Sequence, residues 1–378
     1  MKELDIFIIF LILLLIYKLI RNRNYDVENF DETKIKTAEF AEQRLAEFDY
    51  KKYKPYIDKY FKKLDIIDLR NIPVKTDGKI FCSVASYRDK QCPLTVMDMI
   101  NKAKQPQRLV ICICQQNEAS DESCFDKYDT KGAEIKKIIM TDREARGPCW
   151  ARYLIQQAWK GEEYFLLIDS HMRFVQDWDQ KCIDQVALLP PKSCLTNYVP
   201  NFNLETGLPD DINQLRGPLT IDNKESSVYD GFFRVNSNYI DPSDKPTLAY
   251  GWGACFSFSK SNILHDAPYD AYTQFLFFGE EMDIWARMYT RGWYVYAPSI
   301  AICFTSFDRS YRPTFWENPD QGETEYLCRL RLYYRFGYLK DIPEELKIDI
   351  NNYNYNLGSE KTWHQFLSFC LDEPTTRD

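Results

Sequence analysis

The sequence predicts an α/β fold in which a mostly parallel central sheet is flanked by helices. Three observations carry that expectation. Short apolar, β-branched runs recur at Ile80–Ala85, Leu109–Cys114, Ile135–Met140 and Tyr164–Ile168, the length and composition of buried strands. Between them, Pro93–Lys104 and Pro148–Lys160 read as helices, the second opened by a proline in its first turn. The resulting order of strand, helix, strand, helix sets successive strands parallel in a nucleotide-type topology.

Composition bounds the function classes. The 378 residues carry 48 basic and 56 acidic side chains, a net charge of −8, with 45% hydrophobic and 28% charged residues. That is enough apolar material for a large core, which excludes a disordered or collagen-like chain. It also argues against nucleic acid as a general partner, because phosphate binding draws on clustered surplus Lys and Arg. Aromatic residues make up 15%, which suits stacking surfaces for sugars or bases and equally suits an aromatic core.

From Leu4 to Ile20 the chain reads LDIFIIFLILLLIYKLI, apolar without a break from Ile6 to Tyr17, the pattern of a short membrane span. Lys2 is offset by Glu3 and Asp5 and no small-residue cleavage site follows, which argues against a cleaved signal peptide. The basic flank of Lys18, Arg21 and Arg23 lies downstream and puts the body on the cytosolic side, with a lumenal body as the alternative. No Asn heads an Asn-x-Ser/Thr acceptor, and the twelve Cys show neither a paired framework nor a Cys-x-x-Cys metal spacing. Cys112 and Cys114 alternate in a strand-like run and are expected to pack on one face as small hydrophobes.

The chain therefore divides into an anchor with its basic flank (1–24), a helical stalk (25–76) with helices around Lys34–Phe48 and Tyr53–Leu69, the main domain (77–341), and a helical tail packed on it (342–378). The polar stretch Asn201–Asp230 is too long for an ordinary connection and is expected as a loop beside the site.

The sharpest feature is FLLIDSHMRF, an apolar strand that stops abruptly at Asp169, Ser170 and His171. Ligands of open α/β sheets bind at the carboxyl ends of strands. Two residues apart in extended chain, Asp169 and His171 face the same way and can grip one cation with an oxygen and a nitrogen, a set that suits Mn2+; a capping Asp beside a hydrogen-bonded His is the plainer alternative. A Mn2+ or Mg2+ there would neutralise a diphosphate. Upstream, DREARGPCWAR brings Arg146 and Arg152 to a Gly-Pro helix entry, an anion site or solvated surface charge. The first strand ends in Ser83, Ala85 and Ser86 followed by Tyr87, Arg88 and Asp89, where a base can stack on Tyr87 and meet Arg88 or Asp89, or where a strand-end turn simply forms.

Taken in order, ASYRD, ARGPCWAR, YFLLIDSHMRF, WGACFSFSK, FFGEEMDIWARMYTRGW and YRPTFW resemble the hydroxyproline-type polypeptide α-N-acetylglucosaminyltransferases and, more remotely, the mucin-type polypeptide N-acetylgalactosaminyltransferases. The match spans about Phe81 to Asp372 and rests on the ordered set. The resemblance implies a GT-A glycosyltransferase with a UDP-sugar donor, UDP-GlcNAc first among them, a metal at Asp169 and His171, Ser170 between them, and retaining transfer to a hydroxyl of a protein or glycan acceptor. Another UDP-sugar donor, or a catalytically inactive membrane-tethered binder, are the alternatives. The family's pattern has a further His ahead of its Arg-x-x-Arg-Pro element, where this chain has Thr305; Thr305, Asp308, water or a folded-back His364 would take that place. The resemblance also implies that FFGEEMDIW faces the acceptor and donor sugar, making Glu280, Glu281 and Asp283 the catalytic carboxylates. Trp252 and Gly253 would lie under the donor sugar, and Arg309 and Arg312 would clamp the diphosphate.

Overall fold

The computed structural model describes residues 36–371 apart from 127, 208, 210–218, 230 and 354. The apolar run Ile6–Tyr17 thus lies outside the described residues, and among those described no helix is long and apolar enough to cross a membrane.

Helices α1 (36–46) and α2 (Tyr50–Tyr60) come first, α2 started by the Asp49 carboxylate, which accepts from the Lys51 backbone N–H at 2.9 Å. Strand β1 (Ile80–Tyr87), α3 (Cys92–Lys102), β2 (Leu109–Asn117), β3 (Glu134–Thr141), α4 (Gly147–Gln156) and β4 (Tyr164–Asp169) follow in the alternation that the sequence predicts. Next come β5 (Met172–Phe174), α5 (Trp178–Ala187), β6 (Ser193–Thr196), β7 (Leu219–Tyr229), β8 (Phe232–Tyr239), β9 (Thr247–Leu248) and β10 (Phe256–Lys260). The chain continues through α6 (Ile263–Asp266), α7 (Glu280–Tyr289), β11 (Tyr294–Ala297), β12 (Cys303–Thr305), α8 (Gln321–Arg335) and α9 (Trp363–Leu371).

Eight strands form one sheet in the order β3-β2-β1-β4-β10-β6-β11-β9. The first four are parallel, while β10 runs antiparallel to both β4 and β6. The chain leaves β1 toward β2 and β3 and then returns to the other side of β1 with β4, so a topological switch point opens between the carboxyl ends of β1 and β4. Ala85 is the register partner of Asp169 at that point.

Both faces of the sheet are covered. Cys112 and Cys114 of β2 share one core with α4, α7, α8 and α9, whereas Ile111 and Ile113 share the other with α3 and Trp178 and Cys182 of α5. The period-2 alternation puts the two cysteines on one face, as expected. All twelve cysteines are free.

In the expected stalk, the residues described, from 36 onward, pack on the body. The stalk's second helix ends at Tyr60, short of Leu69, and buries Tyr53, Ile57 and Tyr60 against the body. Tyr53 stacks on Tyr326 of α8 at 4.7 Å between centroids, and Tyr60 meets the Phe275 ring edge-on. Asn201–Asp230 also differs from a plain loop: its second half is β7, which pairs antiparallel with β8 across a bulge between Asp222 and Ser227. That hairpin is two-stranded and its β7 sequence, LTIDNKESSVY, lacks the apolar run by which strands of the main sheet are read.

Candidate active site

A cleft of about 620 Å³ opens at the switch point, walled by the ends of β1 and β4, the 251–255 loop, the start of α7 and the segment after β12. Asp169 and His171 both line it, and Asp169 Oδ2 stands 3.8 Å from His171 Nε2, so the two side chains converge on one volume. Behind His171 lies Asp89, fully buried, whose Oδ2 meets His171 Nδ1 at 2.9 Å and accepts from Ser170 Oγ at 2.6 Å. With Nδ1 engaged by a carboxylate, Nε2 is the nitrogen presented to the cleft, an arrangement that orients a metal-binding imidazole. Burial pushes the Asp89 carboxyl up, but the hydrogen bond and charge of His171, the Arg312 guanidinium and the Ser170 hydroxyl together pull it down to about 2.

Asp169 Oδ1 accepts from Arg152 Nη2 at 2.9 Å, which leaves Oδ2 turned to His171. Arg152 is buried and divides its guanidinium: Nη1 pairs with Glu280, and Nη2 also reaches the Ala254 carbonyl at 3.3 Å. It is thus a tie between β4, α7 and the 251–255 loop.

Helix α7 begins at Gly279, whose φ of +105° only glycine adopts without strain and where a Cβ would press on Leu332 at 3.2 Å. The turn sends Glu280 inward to Arg152 and Tyr269, while Glu281 accepts from the Ala254 N–H at 2.9 Å and from the Tyr198 hydroxyl. Burial raises the Glu281 carboxyl to about 7 against those two hydrogen bonds. A carboxylate with that poise beside a sugar-sized cleft can accept a proton near neutral pH.

Among the residues expected at the site, Ala85, Tyr87, Arg152, Asp169, Ser170, His171, Trp252, Glu280, Glu281, Arg309 and Arg312 line the cleft. Others do not. Asp283 is buried and paired with Arg287 and Arg335: it shares the inner face of α7 with Glu280 but lies one turn further along, past the cleft wall. Arg88 is drawn outward by Asp121 at 2.8 Å and by Glu118, and Asp89 meets His171 instead of a base. Ser83 and Ser86 are wholly buried within the sheet. Arg146 donates to Gln274 at 3.1 Å and lies over Trp150, outside the cleft lining. Gly253 faces Thr196, whose Oγ1 accepts from its N–H at 3.0 Å. Trp252, which is on the cleft wall, donates through Nε1 to Ser257 Oγ at 3.0 Å.

Thr305 does line the cleft, as β12 pairs with β5 and sets Thr305 opposite Met172, next to His171; its hydroxyl donates to the His171 carbonyl at 3.4 Å. Asp308 accepts from the Ser310 N–H and His364 is exposed on α9, neither of them on the cleft wall. Among the described residues no group of three or more His, Cys, Asp or Glu is placed to hold a metal; Asp169 and His171 are two groups that could face one cation. Sequence reasoning overlooked Tyr198, which the Glu281 contact brings in from 83 positions away, and the aromatic wall where Phe277 meets Trp316 edge-on at 5.0 Å. An aromatic-rich FFG and TFW are the only signal for the latter.

No curated protein matches the sequence. Similar solved structures include GalNAc-T7 with UDP, GalNAc and Mn2+, at 12% identity and a TM-score of 0.48 over 76% of this chain. The chain spans 56% of that protein. Residues 1–349 of TarS from S. aureus align at 12% identity and a TM-score of 0.44, over 78% of this chain and 70% of that fragment. The family described as Glycosyltransferase (GlcNAc) matches residues 79–133 and 126–371, the whole of the sheet and the cleft. The chain therefore belongs to that family and is a glycosyltransferase.

Proposed function

We propose that this enzyme moves N-acetylglucosamine from UDP-GlcNAc to a hydroxyl of a protein acceptor, hydroxyproline or Ser/Thr, with retention of anomeric configuration on a GT-A scaffold. The observation that carries the reading is the convergence of Asp169 Oδ2 and His171 Nε2, 3.8 Å apart, at the carboxyl end of β4. The donor set fits Mn2+ or Mg2+: one oxygen and one nitrogen from the chain, with the remaining positions open to diphosphate oxygens and water. When bound, the cation supplies charge neutralisation to the departing nucleoside diphosphate.

The chain's own residues do the rest. Tyr87 offers a ring to the base and Trp252 lies beneath the sugar. Arg309 lies over Trp316, 4.9 Å from the ring, and Arg312 stands near Asp89. Both guanidinium groups meet the diphosphate, whose growing charge they stabilise without reorganisation. Glu281, held by Ala254 and Tyr198, orients the attacking hydroxyl. Arg152 serves by fixing Asp169 and Glu280. The body faces the cytosol behind the anchor in residues 1–24, and the 342–378 tail closes the domain.

The test is hydrolysis of a panel of sugar nucleotides by the full-length chain with Mn2+. UDP-GlcNAc should turn over fastest, and Asp169→Ala should reduce that rate by about 100-fold or more. A different preferred sugar would reassign the donor. Equal background rates for wild type and Asp169→Ala would leave a binding protein and end the catalytic reading.

A further inference from the structure

Asp89 lies behind the cleft wall, and its two oxygens face different parts of the molecule. Oδ2 holds His171 Nδ1 at 2.9 Å and the Ser170 hydroxyl at 2.6 Å. Oδ1 accepts from the Tyr311 hydroxyl at 2.8 Å and from the Gln91 N–H at 2.9 Å. Arg312 Nε lies 3.4 Å from Oδ2, and Arg312 Nη1 reaches the Tyr87 carbonyl at the same distance.

Tyr311 and Arg312 belong to residues 307–316, a strap without helix or strand up to Thr314, crossing from β12 along the cleft. The strap leaves β12 directly beside His171, where the Ser306 N–H donates to the His171 carbonyl at 3.2 Å. Its outer part is exposed at Phe307 and Arg309. The strap is fastened elsewhere too, by the Phe307 N–H donating to Asn201 Oδ1 at 3.1 Å and by Phe315 and Trp316 against Phe277, but Tyr311 and Arg312 meet the same buried carboxylate that aims the imidazole.

We infer that Asp89 is a positioning residue that links His171 to the strap, so that filling the His171 site and seating the 307–316 segment favour one another. The inference rests on the reading that Asp169 and His171 hold a cation. A cation on Nε2 fixes the ring, the ring fixes Oδ2, and a carboxylate so fixed offers Oδ1 to Tyr311. Linkage makes the effect reciprocal: a seated strap tightens cation binding by the same factor by which the cation tightens the strap. Neither Asp89 nor Tyr311 needs to touch the donor for this.

The strap carries its own reporter, because trypsin cuts after Arg309 and the exposed bond there enters the protease faster once the segment leaves the wall and can extend. The experiment measures Mn2+ binding alone, without donor, and trypsin cleavage at that bond in the full chain. In the wild type, Mn2+ should slow cleavage by about 5-fold or more, the lower end of ordinary coupling. Asp89→Asn should bind Mn2+ about 10- to 100-fold more weakly and be cut fast with or without Mn2+. Tyr311→Phe leaves the His171–Asp89 contact intact; it should bind Mn2+ within roughly the same 5-fold of wild type and lose the protection that Mn2+ confers.

Wild-type affinity in Asp89→Asn overturns the inference, as does Tyr311→Phe that Mn2+ still protects as it does the wild type. The second variant serves should Asp89→Asn fail to fold. A wild type that takes up no Mn2+ overturns the cation reading and this inference with it. A wild type that binds while the variants behave alike overturns the inference alone.

Discussion

Glu281 shows how one residue's surroundings set a testable pH dependence. Burial lifts its carboxyl from 4.5 to about 7, although Tyr198 and the Ala254 N–H both pull the other way. Between those two values the folded chain keeps a proton that the unfolded chain has released, so this group lowers stability as pH rises through the window. Glu281→Gln keeps an acceptor for the Ala254 N–H and removes the titration. Its melting temperature should gain on the wild type by a few degrees more at pH 8 than at pH 5, each kcal/mol being worth about 2–4 °C in a chain of this size or somewhat smaller. If Glu281 orients the acceptor hydroxyl as a carboxylate, wild-type transfer should rise through about pH 7 and Glu281→Gln should lose that rise. A parallel pair of melting curves at the two pH values would sink the argument. The place of a residue on the cleft was legible from sequence where it follows from strand position, as for Asp169 and His171. It was not legible where three distant segments converge. Arg152 reads as a phosphate ligand from its helix entry, yet its partners Asp169, Ala254 and Glu280 lie 17, 102 and 128 positions on and take up both of its terminal nitrogens.

At the scale of elements, α7 explains both a success and a miss. A helix starting at Glu280 places Glu280 and Asp283 on one face, as the i, i+3 spacing requires. That face is the inner one. Asp283 joins Arg287 and Arg335, and Asp270 joins Arg331 and Arg335, a buried network that binds α7 to α8. Sequence alone has no means of telling which face a short amphipathic helix turns to a cleft, because here both faces are polar at the first turn. Removing one partner from a buried ion pair leaves the other charge unpaired and costs about 3–5 kcal/mol. Asp283→Asn should therefore lower stability by roughly that amount in denaturant unfolding, while hydrolysis of UDP-GlcNAc per folded molecule stays within about tenfold of wild type. A catalytic Asp283 would give the reverse, near-normal unfolding with activity lost. Of the four parallel strands, β1, β2 and β4 were legible because each is buried on both faces and so reads as an apolar run, whereas β3, at the sheet edge with Lys136 and Lys137 in it and Ile139 exposed, was legible from its β-branched residues alone. The β7–β8 hairpin was not, since its pairing owes nothing to such a run.

For the whole molecule, the question is where the folded unit begins. A charged, Tyr-rich stretch between an apolar run and an α/β body reads from composition as a spacer, with Lys51, Lys52, Lys54, Lys59, Lys62 and Lys63 crowded into its middle. The apolar residues beneath those lysines decide otherwise. Tyr53, Ile57, Tyr60 and Phe61 are buried, Lys52 pairs with Glu323 at 3.0 Å and Lys59 with Asp320 at 2.6 Å, and the Tyr272 hydroxyl accepts from the Leu64 N–H at 3.0 Å. The ion pairs are exposed and contribute little. Each fully buried large apolar side chain is worth about 1.5–3 kcal/mol, so four of them are a sizeable part of a domain's stability. Tyr326 and Phe275, which these rings cover, sit on α8 and on the loop that leads into α7. A chain starting at residue 77 should then lose about 10 °C or more in melting temperature and expose aromatic surface to a dye such as ANS, whereas a chain starting at residue 36 should match the full-length protein in both. Should the chain from residue 77 melt as the longer one does, residues 36–76 would be a spacer after all, and the unit that presents α7 to the cleft would be the sheet and its own helices.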